Sequence, residues 1–395
     1  MTNSSKRLFF IDAIRAWAIL MMLQGHFIDG LLDTAFRDDS NIGYSIWKYF
    51  RGITAPVFFT VSGFIFTFLL VKGKDGQCFS NPRVKKGIKR GLELLFIGYL
   101  LRTNFMGLLN GQIYPSFYIV DVLHCIGLSL LGIIGIYLLT YRKRNLVFGL
   151  TLSAIAIVLF LFEPLYKQWG FSFLPQAFAN YVTKANGSVF TIIPWFGYAA
   201  LGASISLIFN KLRDRNYFFP LTIASLLAIG FALIKLSSPF FLSISEATGI
   251  KLFSDIFYNN YLFIRLGDVF VVFAIFMVLE RLLQNRTLLK IGQSTLSIYV
   301  VHFIILYGSF TGLGLYRFFH HSLNPYVAIP GAVAFMYIST YTALKYEDHK
   351  EEIKTQIAKG TEFTMKQIEF AAIYSYNTIK PRIIRLLRRF GLAKN

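Results

Sequence analysis

Ten apolar runs, each long enough to cross a hydrocarbon layer, recur along the chain at roughly 8–32, 53–71, 90–109, 117–139, 146–163, 190–209, 217–236, 261–282, 294–316 and 325–344. Lipid leaves a spanning segment no other way to satisfy its backbone than a helix or a closed barrel, and runs of this length predict helices. The segments between them alternate in character. One set is basic: Lys6 and Arg7, the stretch Arg83 to Arg90, Arg142 to Arg144, Lys211 to Arg215, Arg281 to Lys290, and the C-terminal tail. The other set is acidic, neutral or polar: the 33–52 loop with Asp38 and Asp39, the Gly111 to Pro115 turn, the 164–189 and 237–260 loops, and His320 with His321. Positive segments stay in the cytoplasm, so the alternation predicts an all-α polytopic membrane protein of about ten transmembrane helices with both termini cytoplasmic. A transmembrane domain over 1–344 is then followed by a basic tail over 345–395. The tail ends in Ile383, Ile384, Leu387 and Phe390 set among Arg382, Arg385, Arg388 and Arg389, the pattern of an interfacial amphipathic helix; a partly disordered solubilising tail is the other reading.

Composition supports lipid as the solvent. Of 395 residues, 55% are apolar, 15% charged and 42 are Phe, more apolar surface than a soluble fold of this size covers. The net charge of +20 is distributed between apolar runs rather than gathered on one soluble face, which argues against nucleic acid and for anionic lipid or anionic cytosolic ligands. Two cysteines, Cys78 in a basic loop and Cys125 inside an apolar run, make neither a disulfide framework nor a thiolate metal site. No cleavable signal peptide is expected, because the first run carries Asp12 and Arg15 and lacks a small-residue cleavage site. No internal repeat of the kind that builds many transporters is evident. The Lys-, Ile-, Asn- and Phe-rich usage points to a bacterium with an A/T-rich genome, so the expected location is a bacterial inner membrane, where Asn186-Gly187-Ser188, a glycosylation triplet, decides nothing.

The first run is the most informative, because ionisable residues inside a membrane are usually kept for a function. At 100° per residue Asp12, Arg15, Ile19, Met22, His26 and Asp29 fall on one stripe, with Arg15 and His26 roughly 16 Å apart along the axis. The stripe has two readings. In one, Arg15 reaches the cytoplasmic headgroups, Asp12 pairs with it and His26 is an interfacial histidine. In the other, the stripe walls a path across the membrane, Arg15 receives an anionic donor, His26 accepts a proton, and Asp29 takes the other ring proton and holds the tautomer.

The segment IDAIRAWAILMMLQGHFID resembles the first helix of membrane-embedded acyltransferases, the heparan-α-glucosaminide N-acetyltransferase-like family and the related bacterial sugar O-acyltransferases. Further matches follow in order: ITAPVFFTVSGFIF at 53–66, KRGLELL at 89–95, DVLHCIGLSLL at 121–131, IPWFGYAALGASIS at 193–206 and IGQSTLSIYVVH at 291–302. The first, second, fifth and sixth are most similar to the heparan-type group. The resemblance departs at His124, where an aromatic is usual, and at Ala16, where glycine is common. It implies transfer of an acyl group, usually acetyl, from cytosolic acyl-coenzyme A as co-substrate to a hydroxyl or amine of an extracytoplasmic glycan or glycolipid. Arg15 and His26 match the family's paired residues, His26 being the catalytic candidate.

The residue chemistry suits that expectation. The phosphates of coenzyme A would meet Lys85, Lys86, Lys89 and Arg90, and its pantetheine would pass Arg15 and Asp12. A neutral His26 would deprotonate the acceptor or take the acyl group covalently first. Asn104, Tyr118 and Trp195 are candidate donors for the developing oxyanion. His302, beside Tyr299, and the pair Asp121 and His124 are secondary candidates that interhelical hydrogen bonding explains equally well. No ligand set for a metal is defined. The competing class is a transporter or flippase of a polar or lipid-linked solute, which an intramembrane Asp-Arg-His stripe would also serve.

Overall fold

A computed structural model of the protein describes residues 8–72, 81–141 and 145–389. Lys6, Arg7, Cys78, Arg142 to Arg144 and Phe390 lie outside the described residues, as does the side-chain arrangement of the tail's basic face. The chain is 79% helical, with no strand among the described residues. Sixteen α-helices follow in order: α1 (Phe9–Leu31), α2 (Ile42–Lys72), α3 (Pro82–Arg102), α4 (Phe105–Leu109), α5 (Val122–Thr140), α6 (Asn145–Leu161), α7 (Glu163–Tyr166) and α8 (Gln176–Ala179). Then come α9 (Ile192–Leu212), α10 (Phe218–Thr248), α11 (Lys251–Tyr258), α12 (Tyr261–Val278), α13 (Arg286–Gln293), α14 (Thr295–Tyr307), α15 (Leu315–Phe319) and α16 (Pro325–Arg389). Seven helices among the described residues are long and apolar enough to cross a membrane, or eight if the bent pair α13 and α14 is one span. Contacts divide the chain into two compact units, 1–342 and 343–395; within the second, Lys350 pairs with Glu347 at 2.8 Å and Lys354 with Glu351 at 3.0 Å.

Several expected loops are helical, each for a local reason. The basic stretch Arg83 to Arg90 forms the first two turns of α3, because the Asn81 side chain accepts from Arg83 N at 2.9 Å and Pro82 supplies a φ already suited to the first turn. The 33–52 loop ends early, at Ile42, where α2 begins. The first half of the 237–260 loop belongs to α10, which passes through Pro239 and stops at Gly249, whose φ of +71° reverses the chain. The 294–316 run is interrupted instead: α14 meets α13 at a 71° bend and ends at Gly308, φ +70°.

Without a hydrophobic force between helices in lipid, close backbone approach holds a bundle together, and glycine permits it. Three of the most extensive of these contacts, α2 with α9, α10 with α12 and α3 with α5, each carry glycine at the crossing. Gly91 and Gly127 face one another across α3 and α5, and Gly230 and Gly267 across α10 and α12. At the tightest crossing, Gly63 lies against the Ala199 carbonyl and Gly202 against the Thr60 carbonyl.

One end of the bundle is filled by Phe10, Phe64, Phe68, Phe209, Phe218 and Phe273. Most of their rings meet edge to face or tilted, with centroids 5.3–6.4 Å apart. The start of α1, the ends of α2, α9 and α12, and the start of α10 converge there.

Candidate active site

Helix α1 is buried along most of its length, so its polar stripe looks into protein. Helix α14 runs beside it in the same direction and touches it at two levels. At the lower level Arg15 Nη2 donates to Thr295 Oγ1 at 2.9 Å, with Asp12 3.8 Å from the guanidinium. At the upper level His26 Nδ1 hydrogen-bonds Tyr307 Oη at 3.1 Å, and the His302 ring stands edge-on to His26 with centroids 5.3 Å apart. Eleven positions separate Arg15 from His26 and twelve separate Thr295 from Tyr307, which at about 1.5 Å per residue keeps the two helices in step. The bend before Thr295 makes this possible, and Gly292 in α13 sits on the Asp12 carbonyl, where a side chain has no room.

His26 borders two cavities. The narrower, about 190 Å³, is walled by Met22, Thr54, Phe58, Phe190, Trp195 and Tyr299 among others. The wider, about 560 Å³, is more polar and includes Arg102, Asn104, Ser116, Asp121, Ser309 and Tyr316. Val189 and Phe190 line both, so the segment before α9 partly separates them. A third cavity of about 530 Å³ shares Val189, Trp195 and Tyr261 with the narrow one and adds Glu163, Lys167 and Lys184. Burial lowers the pKa of the Lys184 ammonium there, against the raising effect of Glu163.

The structure redistributes several expected roles. Asp29 does not hold the His26 ring: its carboxylate pairs with Arg51, and its carbonyl accepts from Arg37 Nη2 at 2.6 Å and His321 Nε2 at 3.2 Å. His321, expected in a solvated turn, thereby ties the segment after α15 to the end of α1. Burial and the Arg37 guanidinium lower its pKa. The position next to His26 belongs instead to Tyr307, because the α14 hydroxyl reaches Nδ1 while Arg51 neutralises the aspartate.

Asp121 accepts from Leu123 N at 3.1 Å and caps α5, contacts His124 Nδ1 at 3.0 Å and pairs with Arg102 at 3.2 Å. His124 is packed under Gly98 and against Tyr99, centroids 4.4 Å apart, so only Asp121 of this pair reaches the wide cavity. His302 is fully buried between His26 and Tyr299. The Asn104 side chain caps α4 through Gly107 N at 3.1 Å and borders the wide cavity. The Tyr118 carbonyl is bonded by Asn180 Nδ2 at 2.7 Å and its ring meets Phe117. Lys85, Lys86, Lys89 and Arg90 are exposed on α3, with Lys89 and Arg90 3.9 and 3.7 Å from Glu93. No group of three metal-ligating side chains occurs among the described residues.

Arg51, Thr54, Tyr299 and Tyr307 are the site residues that sequence reasoning missed. Arg51 carried one signal, a cation just before the second apolar run with an aspartate near the end of the first. Tyr307 carried none, since its partner is 281 positions away.

A half-buried histidine with a tyrosine partner borders an apolar and a polar cavity inside a bundle of helices of membrane-spanning length, an arrangement with the geometry that proton or group transfer needs. The chain belongs to the heparan-alpha-glucosaminide N-acetyltransferase catalytic family, whose model matches residues 7–242. That stretch contains Arg15, His26, Thr54, Asp121 and Trp195, while α14 with His302 and Tyr307 follows it. No curated protein matches the chain.

Proposed function

We propose that the protein transfers an acyl group, usually acetyl, from cytosolic acyl-coenzyme A to a hydroxyl or amine of a glycan or glycolipid on the far side of the membrane. The observation that carries this reading is the position of His26 at the junction of a narrow apolar cavity and a wide polar one, within the stretch that defines the family. The thioester enters the narrow cavity and the acceptor the wide one. Aromatic faces such as Tyr316 and Phe310, set among Asn104, Ser116 and Asp121, suit the alternating apolar and polar surfaces of a sugar. With Nδ1 donating to Tyr307, a neutral His26 presents Nε2 as the base for the acceptor proton. Arg15, with Asp12, holds the donor at the lower level, and Lys85, Lys86, Lys89 and Arg90 meet its phosphates.

Acetyl-coenzyme A is expected to raise the melting temperature of the detergent-purified protein by mass action, the stabilisation reaching about 2.7 kcal/mol at a hundredfold excess over Kd. No shift at millimolar ligand, together with no transfer of radiolabelled acetyl to envelope glycans, would exclude the enzyme and favour a transporter.

The supporting topology is ten spans, with α3, α6 and the bent α13–α14 pair counted beside the seven apolar helices, and both termini in the cytoplasm of a bacterial inner membrane. Arg83 to Arg90, Lys211 to Arg215 and Arg281 to Lys290 then lie on one side, with His26 nearer the other. In a Cys78→Ser background, a cysteine at Asn186 is expected to react with an impermeant maleimide from outside, and one at Asp214 only after permeabilisation. Labelling of both from one side would overturn the topology.

A further inference from the structure

The wall of the narrow cavity contains two donors that the chain leaves unused. Among the described residues, the buried polar side-chain atoms without a hydrogen-bond partner include only two on residues lining that cavity, Trp195 Nε1 and Thr54 Oγ1. Both residues are more than nine-tenths buried, at 6% and 7% exposure. A buried donor with no partner is destabilising, so a native site that retains two of them beside a catalytic candidate keeps them for a ligand atom.

Their placement follows from the helices. Arg51, Thr54, Ala55 and Phe58 recur at helical spacing and form the face of α2 that lines the cavity. Two neighbouring hydroxyls of this helix are satisfied internally, Thr60 by the Pro56 carbonyl at 2.8 Å and Ser62 by the Phe58 carbonyl at 2.7 Å, while the buried Thr67 hydroxyl, away from the cavity, is without a partner. Thr54 makes no such bond. Across the cavity, Ile193 is not helical, so the helical turns of α9 start at Pro194 and place Trp195 in the first of them. Its indole is fixed by Phe59, Phe190 and Tyr198, with centroids 5.3, 5.0 and 5.7 Å away, and cannot easily turn to another partner. First-turn amides of α9 add partial positive charge at the same end.

We propose that the Trp195 indole N–H and the Thr54 hydroxyl form the oxyanion hole of this site, receiving the acyl carbonyl oxygen of a short-chain acyl thioester. This inference rests on the acyl-transfer reading. The acceptor O–H or N–H gives its proton to His26 as its lone pair forms a bond to the thioester carbon, and the C=O pair moves onto oxygen. Trp195 and Thr54 donate to that oxyanion. Its collapse restores C=O and breaks the C–S bond, and the departing sulfur takes the proton from His26 to leave coenzyme A as its thiol. Of the oxyanion donors considered from sequence, Asn104 lines the wide cavity on the acceptor side and not the narrow one, and Tyr118 lines neither. Trp195 is the one that shares the narrow cavity with His26.

The test is steady-state acetyl transfer by the full-length protein and its Trp195→Phe, Thr54→Val and Thr54→Ser variants. Phenylalanine keeps the aromatic packing and removes only the N–H; valine keeps the shape of threonine and removes only the hydroxyl. Trp195→Phe is expected to lower kcat roughly 10²–10³-fold and Thr54→Val at least about tenfold, with KM for acetyl-coenzyme A within about twofold of wild type. Thr54→Ser should restore most of the rate, and the pH profile of kcat/KM should not move because His26 is untouched. Active wild-type protein with undiminished kcat in both Trp195→Phe and Thr54→Val would overturn the oxyanion hole alone, as would losses confined to KM. Wild-type protein that binds no acetyl-coenzyme A and transfers no acetyl would overturn the acyl-transfer reading itself.

Discussion

Replacement of His26 by alanine is expected to reduce acetyl transfer by roughly 10²–10⁴-fold, the range supplied by a positioned general base, while leaving coenzyme A binding nearly intact. The separation follows from geometry. His26 borders both cavities at the level of Tyr307, whereas Arg15 is bonded to Thr295 about three helical turns away on α1. Arg15→Ala is therefore expected to act in the opposite sense, raising KM for acetyl-coenzyme A more than it lowers kcat. Tyr307→Phe removes the oxygen that accepts from Nδ1 without removing the ring, and a fall in kcat of about tenfold is expected from the net worth of such a bond. Radiolabelled acetyl transfer at the wild-type rate in the His26 variant would sink the catalytic assignment, and equal losses of binding in the His26 and Arg15 variants would sink the division of labour between the two levels.

The largest effect on stability is expected at Gly63 and Gly202, where α2 and α9 cross. A Cβ at Gly63 would run into the Ala199 carbonyl oxygen, and one at Gly202 into that of Thr60. Glycine in a helix interior is itself unfavourable relative to alanine by up to about 1 kcal/mol, so replacement would ordinarily stabilise. Here the obstruction is backbone, which cannot swing aside, and the two helices must separate. Overpacking in a well-packed interior commonly amounts to about 1–3 kcal/mol, and these sites belong at or above the upper end. Gly63→Ala and Gly202→Ala should lower the melting temperature sharply or yield aggregated protein in size-exclusion chromatography. Gly135→Ala is the control, since nothing lies within 4 Å of its Cβ position, and it should leave stability unchanged or slightly higher. Unaltered melting in Gly63→Ala would show that the crossing is not as tight as its geometry requires.

The helical, membrane-embedded character of the chain was legible because hydrophobic length and the exclusion of charge are one-dimensional properties, written in each segment independently. The stripe from Asp12 to Asp29 was legible for the same reason: residues on one helix are related by a fixed rotation, so their shared face follows from spacing alone. The family match covers the stretch in which that stripe and four of the other motifs lie. Helix ends were less legible, because Asn81 and Gly249 act through single local bonds or backbone angles that hydrophobic length does not register.

Partners between helices were not legible at all. Asp29 lies one turn beyond His26 and was the natural candidate to orient it, yet Arg51 from the next helix takes its carboxylate, and Tyr307, 281 positions away, takes the imidazole. Asp121 and His124 were indistinguishable by sequence; Gly98, by admitting the His124 ring, leaves only the aspartate facing the wide cavity. By itself, then, the sequence determined the solvent of this protein, the helical state of its segments and the face of α1 that carries the chemistry, since these depend on local periodicity. Only the tertiary structure decided which side chains meet that face and where space remains beside it, because packing of helices distant in the chain sets both.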